Sequence, residues 1–394
     1  MTFMTDDVRP VSQAGEDAVL AAIREIIDAH QRDHPRLLLG PGDDAAVLAC
    51  TSGQQVLTTD TLSAGQDFRP HWWQGRPSAE WPMDIGTKAA AQNLSDLNAM
   101  AATPTALLVS LTVPADRTVQ WVTDFYAGVL RACSQPGAAH CAVAGGDLGT
   151  GPDVSVTITA VGEPQEPGRL LTRTGAGAGE VLAVCGRLGY AAAGLALLEQ
   201  SGAGPRGSRA VKDQEAEPDQ QAGLAAECRA AECRAAECRA AECRAAQLRP
   251  QPPLTAGGQA LRAGATAGMD LSDGLLRDAA RLAEASQVQI LLDPTALRDA
   301  ARELEPVAEH CLGAGPALAW DWVLSGGEDF GLLATFDSAA ELPTGFRVIG
   351  HLLAVSPGAG PSGSVPGVSV DGVGVPGVSV PGAGASHGWD SLRE

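Results

Sequence analysis

Lysine is nearly missing from this sequence: Lys88 and Lys212 are the only two among 27 basic residues, and 47 acidic ones bring the formal net charge to −20. So acidic a surface has little with which to release counterions from a nucleic-acid backbone, which argues against a phosphate-backbone binder. A polyanionic substrate would have to arrive with cations. Aromatic residues are few, at 4%. No stretch offers the eighteen or so uninterrupted apolar residues of a membrane span; residues 181–198 come nearest, are broken by Arg187 and several glycines, and read as strand, turn and helix. Asp6 and Asp7 stand where a secretory signal would be basic and then apolar, so a cytoplasmic protein is expected. Cys50, Cys133, Cys141, Cys185 and Cys311 show no zinc-ligand spacing, and reduced thiols are expected. There is no Gly-x-x-x-x-Gly-Lys-Ser/Thr loop, Asp329-Phe330-Gly331 lacks a His-Arg-Asp companion, and Gly175, Gly177 and Gly179 precede a strand rather than follow one. These absences argue against P-loop, protein-kinase and dinucleotide-fold chemistry.

What is present suits a globular enzyme. The 394 residues are 45% hydrophobic and 19% charged, enough for more than one core. Apolar spacing predicts strands over 55–62, 106–113, 154–161, 181–185, 288–292, 332–336 and 346–349. Helices are predicted over 16–27, 87–100, 118–133, 190–200 and 274–285. The fold class is therefore α/β (α+β), as two mixed α/β domains over 1–163 and 164–394. Two low-complexity stretches interrupt the second. Residues 201–249 carry four copies of Ala-Glu-Cys-Arg-Ala, with Cys228, Cys233, Cys238 and Cys243. A five-residue period advances about 140° per repeat on a helix, so the thiols wind around it and make no metal site. A solvated helix or a disordered insertion is expected there. Residues 356–384 repeat Val-Pro-Gly-Val-Ser-Val at Val365 and Val375, which predicts a flexible loop returning the chain to Trp389.

The informative signal is a series of motifs in which Asp follows Gly, Ser or Thr: Gly42-Asp43-Asp44, Thr58-Thr59-Asp60, Asn93-Leu94-Ser95-Asp96, Gly145-Gly146-Asp147 and Asp270-Leu271-Ser272-Asp273-Gly274. Any one of them is an ordinary turn or helix cap. Together they predict strand-end carboxylates converging on one mouth of a sheet, where they would repel one another unless divalent cations sat among them. Oxygen ligands without His or Cys point to Mg²⁺, several ions of it, and so to phosphoryl transfer. Lys88, just before Asn93, reads either as a phosphate contact or as a solvated helix lysine.

Taken in order, with Gly15-Glu16, Lys88-Ala89, Leu171-Thr172-Arg173-Thr174-Gly175 and Ser325-Gly326-Gly327-Glu328-Asp329, the motifs resemble the thiamine-monophosphate kinases of the aminoimidazole-ribonucleotide-synthetase-like superfamily. The resemblance spans nearly everything outside the two low-complexity stretches. It implies ATP-dependent phosphorylation of thiamine monophosphate to thiamine diphosphate by a homodimer paired through its N-terminal domains. It implies magnesium at Asp44, Thr58, Thr59, Asp60, Asp96, Asp147, Asp270 and Asp273, nucleotide contacts at Gly146, Arg173 and Ser272, and thiamine contacts at Asp67, Glu328 and Trp389. Catalysis would rest on Asp60, Asp147 and Lys88. The family usually has His where Asp67 stands, and its C-terminal Gly-aromatic-Asp-His-Phe is here Gly388-Trp389-Asp390-Ser391-Leu392. The alternatives are another ATP-using enzyme of the superfamily, of the purine-pathway synthetase type, and a non-catalytic magnesium- or nucleotide-binding protein. Turnover separates the non-catalytic protein from a kinase.

Overall fold

In the computed structural model residues 7–31, 34–41, 45–202, 220–355 and 367–370 are described, with side chains from 232 onward in the helix that begins at Gln220. The N-terminal half runs α1 (Val11–Ala14), α2 (Glu16–Gln31), β1 (Leu37–Leu39), β2 (Val47–Leu48), β3 (Val56–Ser63), α3 (Glu80–Ala99), β4 (Ala102–Val113), α4 (Val119–Cys133), β5 (Ala142–Thr150) and β6 (Ser155–Pro164). Val19, Ile23, Ile26 and Ile27 recur at helical spacing and give α2 its buried stripe. Strands β3, β6, β4 and β5 form a sheet in that order, parallel only between β4 and β5. Helices α3 and α4 cross closely enough that a Cβ on Gly86 would lie 2.0 Å from the Phe125 carbonyl oxygen. They bury one face of the sheet. The opposite face leaves Leu57 62% and Leu108 42% exposed.

The second half runs β7 (Val181–Cys185), α5 (Tyr190–Gly202), α6 (Gln220–Leu248), α7 (Ala256–Arg262), β8 (Ala267–Asp270), α8 (Leu275–Ser286), β9 (Val288–Leu292), α9 (Pro294–Pro306), α10 (Pro316–Ser325), β10 (Leu332–Phe336), β11 (Phe346–Ala354) and β12 (Gly367–Val370). Its sheet is ordered β12-β9-β11-β7-β10-β8, antiparallel except where β12 joins β9. Leu182, Leu282, Leu297, Leu304 and Trp322 are among the side chains of its core. The mixed helix-and-sheet class read from the sequence is what forms.

Two expectations need correction. From residue 232 on, the repeat is not a solvated appendage: Ala236, Ala240, Cys243 and Gln247, spaced i, i+4, i+7 and i+11, are buried, and α6 packs against α5 and α9; residues 203–219 of that stretch lie outside the described residues. Cys233 and Cys238 are exposed while Cys243 is buried, as a winding period requires. A sequence with little apolar contrast forms a buried stripe because alanine and cysteine are small enough to let two helices approach. A Cβ on Gly194 of α5 would lie only 2.1 Å from the Cys243 carbonyl oxygen. Within the predicted Pro/Gly loop, Gly367–Val370 instead pairs with β9 as an edge strand; the rest of that loop lies outside the described residues.

Candidate active site

Strand β3 alternates faces, and that decides which of its residues meet α3. Thr58 and Asp60 point toward the helix layer, and Thr58 Oγ1 donates to Asp96 Oδ2 on α3 at 2.6 Å. Thr59 and Thr61 lie on the open face, 3.1 Å from the Thr159 hydroxyl and 2.8 Å from the Thr157 hydroxyl, respectively. The Thr59 side chain is therefore not brought to the Asp60 group. Neither is Asp147. It lies within β5 rather than in a turn, pairs with Ser110, and shares a cross-strand row with Thr61 and Thr157 on the open face. Since β5 and β3 occupy opposite edges of the sheet, about three strand spacings or roughly 14 Å separate them. Gly146, its neighbour, sits so close to β4 that a Cβ would meet the Val109 carbonyl oxygen at 1.9 Å, reason enough for glycine there.

The second half contributes from the end of β8. Asp270 is buried and accepts from Ser95 Oγ of α3 at 3.2 Å, a contact that joins the halves. Asp273 follows in the turn, salt-bridged to Arg281. The Asp278 carboxylate accepts from the N–H groups of Asp273 and Gly274 at 2.9 and 3.1 Å and fixes that turn. Burial, then Asp96, Asp67 and Asp273, push the Asp60 carboxyl up to about 6. Burial also raises Asp96, against the Thr58 hydrogen bond and the Arg173 guanidinium. Asp270 stands well above the carboxylate range through burial, Asp96 and Asp278, with Ser95 and Arg173 opposing. Each of these carboxyls is held toward its neutral form, a cost that a divalent cation would relieve. The donors are all oxygen, which suits a hard cation. Among the described residues, however, no three Asp, Glu, His or Cys side chains are already gathered into a metal-binding group.

Beside the carboxylates lies a second, differently built cluster. Lys88 is 2% exposed, and its Nζ is 2.7 Å from Glu328 Oε1 and 3.2 Å from the Asp67 carbonyl oxygen. That buried ion pair corrects the reading of Lys88 as a solvated lysine. The Asp67 carboxylate accepts from Ser63 N–H at 2.7 Å, closing the turn after β3. Burial raises it, against that hydrogen bond and Lys88. Glu328 has left-handed backbone, φ +66°, held in place because its N–H donates to Ser272 O at 2.8 Å. Asp329 of the Asp-Phe-Gly triplet caps α5, accepting from Gly189 and Ala191 N–H.

The described residues thus bring together Thr58, Asp60, Asp67, Lys88, Asp96, Arg173, Asp270, Ser272, Asp273 and Glu328 at the seam of the two halves. Asp44 and Trp389 lie outside them. Asp278, Arg281 and Gln247 were missed, and Ser95, though inside the Asn93–Asp96 motif, was given no role; the i+4 step from Gly274 to Asp278 could have signalled a cap, whereas nothing local marks Arg281 or Gln247.

Residues 42–163 match the family described as AIR synthase related protein, N-terminal domain. Thiamine-monophosphate kinase from Mycobacterium tuberculosis is 36% identical over 343 residues, 87% of this chain and 86% of that protein. The crystal structure of thiamine-monophosphate kinase from Stenotrophomonas maltophilia superposes with a TM-score of 0.64 at 29% identity, covering 88% of this chain and 95% of the other. A structure described as AaThiL complexed with AMPPCP and TMP gives 0.58 at 27% identity, covering 92% and 94%.

Proposed function

The chain belongs to the thiamine-monophosphate kinase family, and we propose that its site phosphorylates thiamine monophosphate to thiamine diphosphate at the expense of ATP. The observation that carries this reading is the seam itself, where carboxylates and Arg173 lie beside the Lys88–Glu328–Asp67 cluster. The first group suits a metal-bridged nucleotide, the second a cationic heterocycle.

A phosphate monoester has its second pKa near 6, so the attacking oxygen is already ionised at neutral pH and the chain need not supply a base. What the residues must do is align two polyanions and exclude water. Asp60, Asp96, Asp270 and Asp273 would hold Mg²⁺, with Thr58 and Ser95 orienting Asp96 and Asp270 through the hydrogen bonds described. Mg²⁺, when bound, would offset the charge between carboxylates and phosphates and on the transferred group. Arg173 lowers both Asp96 and Asp270 and would meet a phosphate oxygen alongside them. Glu328 and Asp67 would face the thiazolium.

We read the open face of the first sheet as the surface through which two copies pair. Its exposed Leu57 and Leu108 favour burial, and pairing would also shelter Thr59 and Asp147. The described cysteines are free thiols, in keeping with a cytoplasmic protein; no helix among the described residues is long and apolar enough to cross a membrane.

Chromatographic product analysis after incubation with Mg²⁺, ATP and thiamine monophosphate tests the proposal. Thiamine diphosphate and ADP are expected, with free thiamine left largely untouched. Well-folded protein that makes no diphosphate would overturn it.

A further inference from the structure

We propose that Gln247, at the C-terminal end of the repeat-bearing helix α6, is a positioning residue that holds Glu328 in place for the thiamine substrate. The role rests on the kinase reading above. Gln247 is 2% exposed, and its Nε2 donates to Glu328 Oε2 at 2.7 Å. The other carboxylate oxygen, Oε1, is 2.7 Å from Lys88 Nζ. Glu328 is thus gripped from two sides, by a cation on α3 and an amide on α6, while its strained backbone is tied to Ser272. With Lys88 alone, the carboxylate could rotate about that single contact.

The grip borders an open space. A cavity of about 390 Å³ lies between α5, α6 and α10, and Gln247, Trp322, Asp321, Ser325 and Glu328 line it. Ser325 Oγ is buried with no hydrogen-bond partner among the described residues. An aromatic wall, two carboxylates and an unused hydroxyl suit a cationic, nitrogen-bearing heterocycle. Gln247 bonds the Glu328 oxygen that Lys88 leaves free, and so sets the direction of the second.

The repeat acquires a function from this placement. Ala236, Ala240 and Cys243 bury the helix against its neighbours, and the close approach of Gly194 to the Cys243 carbonyl fixes its register one turn before Gln247. Further copies of Ala-Glu-Cys-Arg-Ala lengthen α6 at its N-terminal end, where Glu232 and Cys233 are exposed. Expansion therefore leaves Gln247 where it is. The repeat thus extends one end of the helix, while the other end reaches Glu328.

The experiment is steady-state kinetics on the full chain with Gln247→Met, which keeps side-chain length and removes the donor. The Michaelis constant for thiamine monophosphate is expected to rise about tenfold, the loss of one hydrogen bond to a charged group, with that for ATP changed less than twofold. Gln247→Glu, which sets a second carboxylate against Glu328, is expected to raise it further and covers the case in which the Met variant folds poorly. In a Glu328→Gln background the added effect of Gln247→Met should fall below about twofold, because the two residues act as one unit. An unchanged constant for thiamine monophosphate, equal rises for both substrates, or a tenfold effect that persists without the Glu328 carboxylate would each overturn the role. Wild-type protein that forms no diphosphate would overturn the kinase reading instead, and this role with it.

Discussion

Lys88 on α3 and Glu328 in the loop before β10 face each other across the seam, Nζ to Oε1 at 2.7 Å, so the only lysine among the described residues is spent on joining the two halves. Its partner is 19% exposed and it is itself 3% exposed by side chain. Such a pair adds little net stability against an apolar substitute, but removing one member strands a buried charge.

Replacing Lys88 with Met should therefore lower stability by about 3 kcal/mol and weaken thiamine monophosphate binding more than ATP binding. Chemical denaturation together with Michaelis constants for both substrates checks this. A variant as stable as wild type would mean that the pair is not formed in solution.

Asp60→Asn is expected to abolish turnover, and Asp147→Asn to do so through a site that pairing of two chains completes, with the melting temperature unchanged or slightly raised in both. Asp60 gives up repulsion from Asp96, Asp67 and Asp273, and Asp147 is exposed on β5. Assays at saturating Mg²⁺ decide the matter. Because the two residues occupy opposite edges and faces of one sheet, loss of activity in both variants would favour a site completed by pairing of two chains.

On α6, Ala240→Glu should destabilise the protein by more than about 3 kcal/mol, since a carboxylate would enter the interface with α5. Cys238→Glu, two positions earlier on the exposed side, should fall within about 0.5 kcal/mol of wild type. Thermal melts of the pair test whether the repeat helix is seated as described. Equal stabilities would show that it is not.

Asp124 on α4 is 3% exposed, and burial alone pushes its carboxyl up to about 6. The folded state thus holds the proton more tightly than the unfolded one, so this group's contribution to stability falls as pH rises from about 4 through 6. Asp124→Asn should then stabilise the protein at pH 8 by something on the order of 1–3 kcal/mol, and the gain should shrink as pH drops through that window. Urea titrations at pH 8 and pH 5 measure it; a gain that grows at low pH would contradict the stated sign.

Much was legible locally. Apolar periodicity located α2, α4, β3, β7, β9 and β10 to within a few residues, because each needs only a repeating face over its own length. The Asp-bearing motifs were legible for the same reason: Gly, Ser and Thr beside Asp make turns and caps wherever they occur. Strand β5 was missed. Its Gly145-Gly146-Asp147 reads as a turn, and only pairing along β4 makes it a strand.

What the sequence by itself determined is thus the mixed fold class, the family signature and the carboxylate-rich character of the site. Tertiary structure alone decided which of those carboxylates meet. Alternation along β3 is visible in the sequence, but not that the Thr58 and Asp60 side would face α3; the edge position of β5 then separates Asp147 from them. Likewise a glutamine ending a low-complexity repeat gives no local sign that it touches Glu328. Turn and helix preferences act between residues a few positions apart, whereas the pairing of Lys88, Gln247 and Glu328 follows from how three distant elements pack, a constraint that no window of sequence contains.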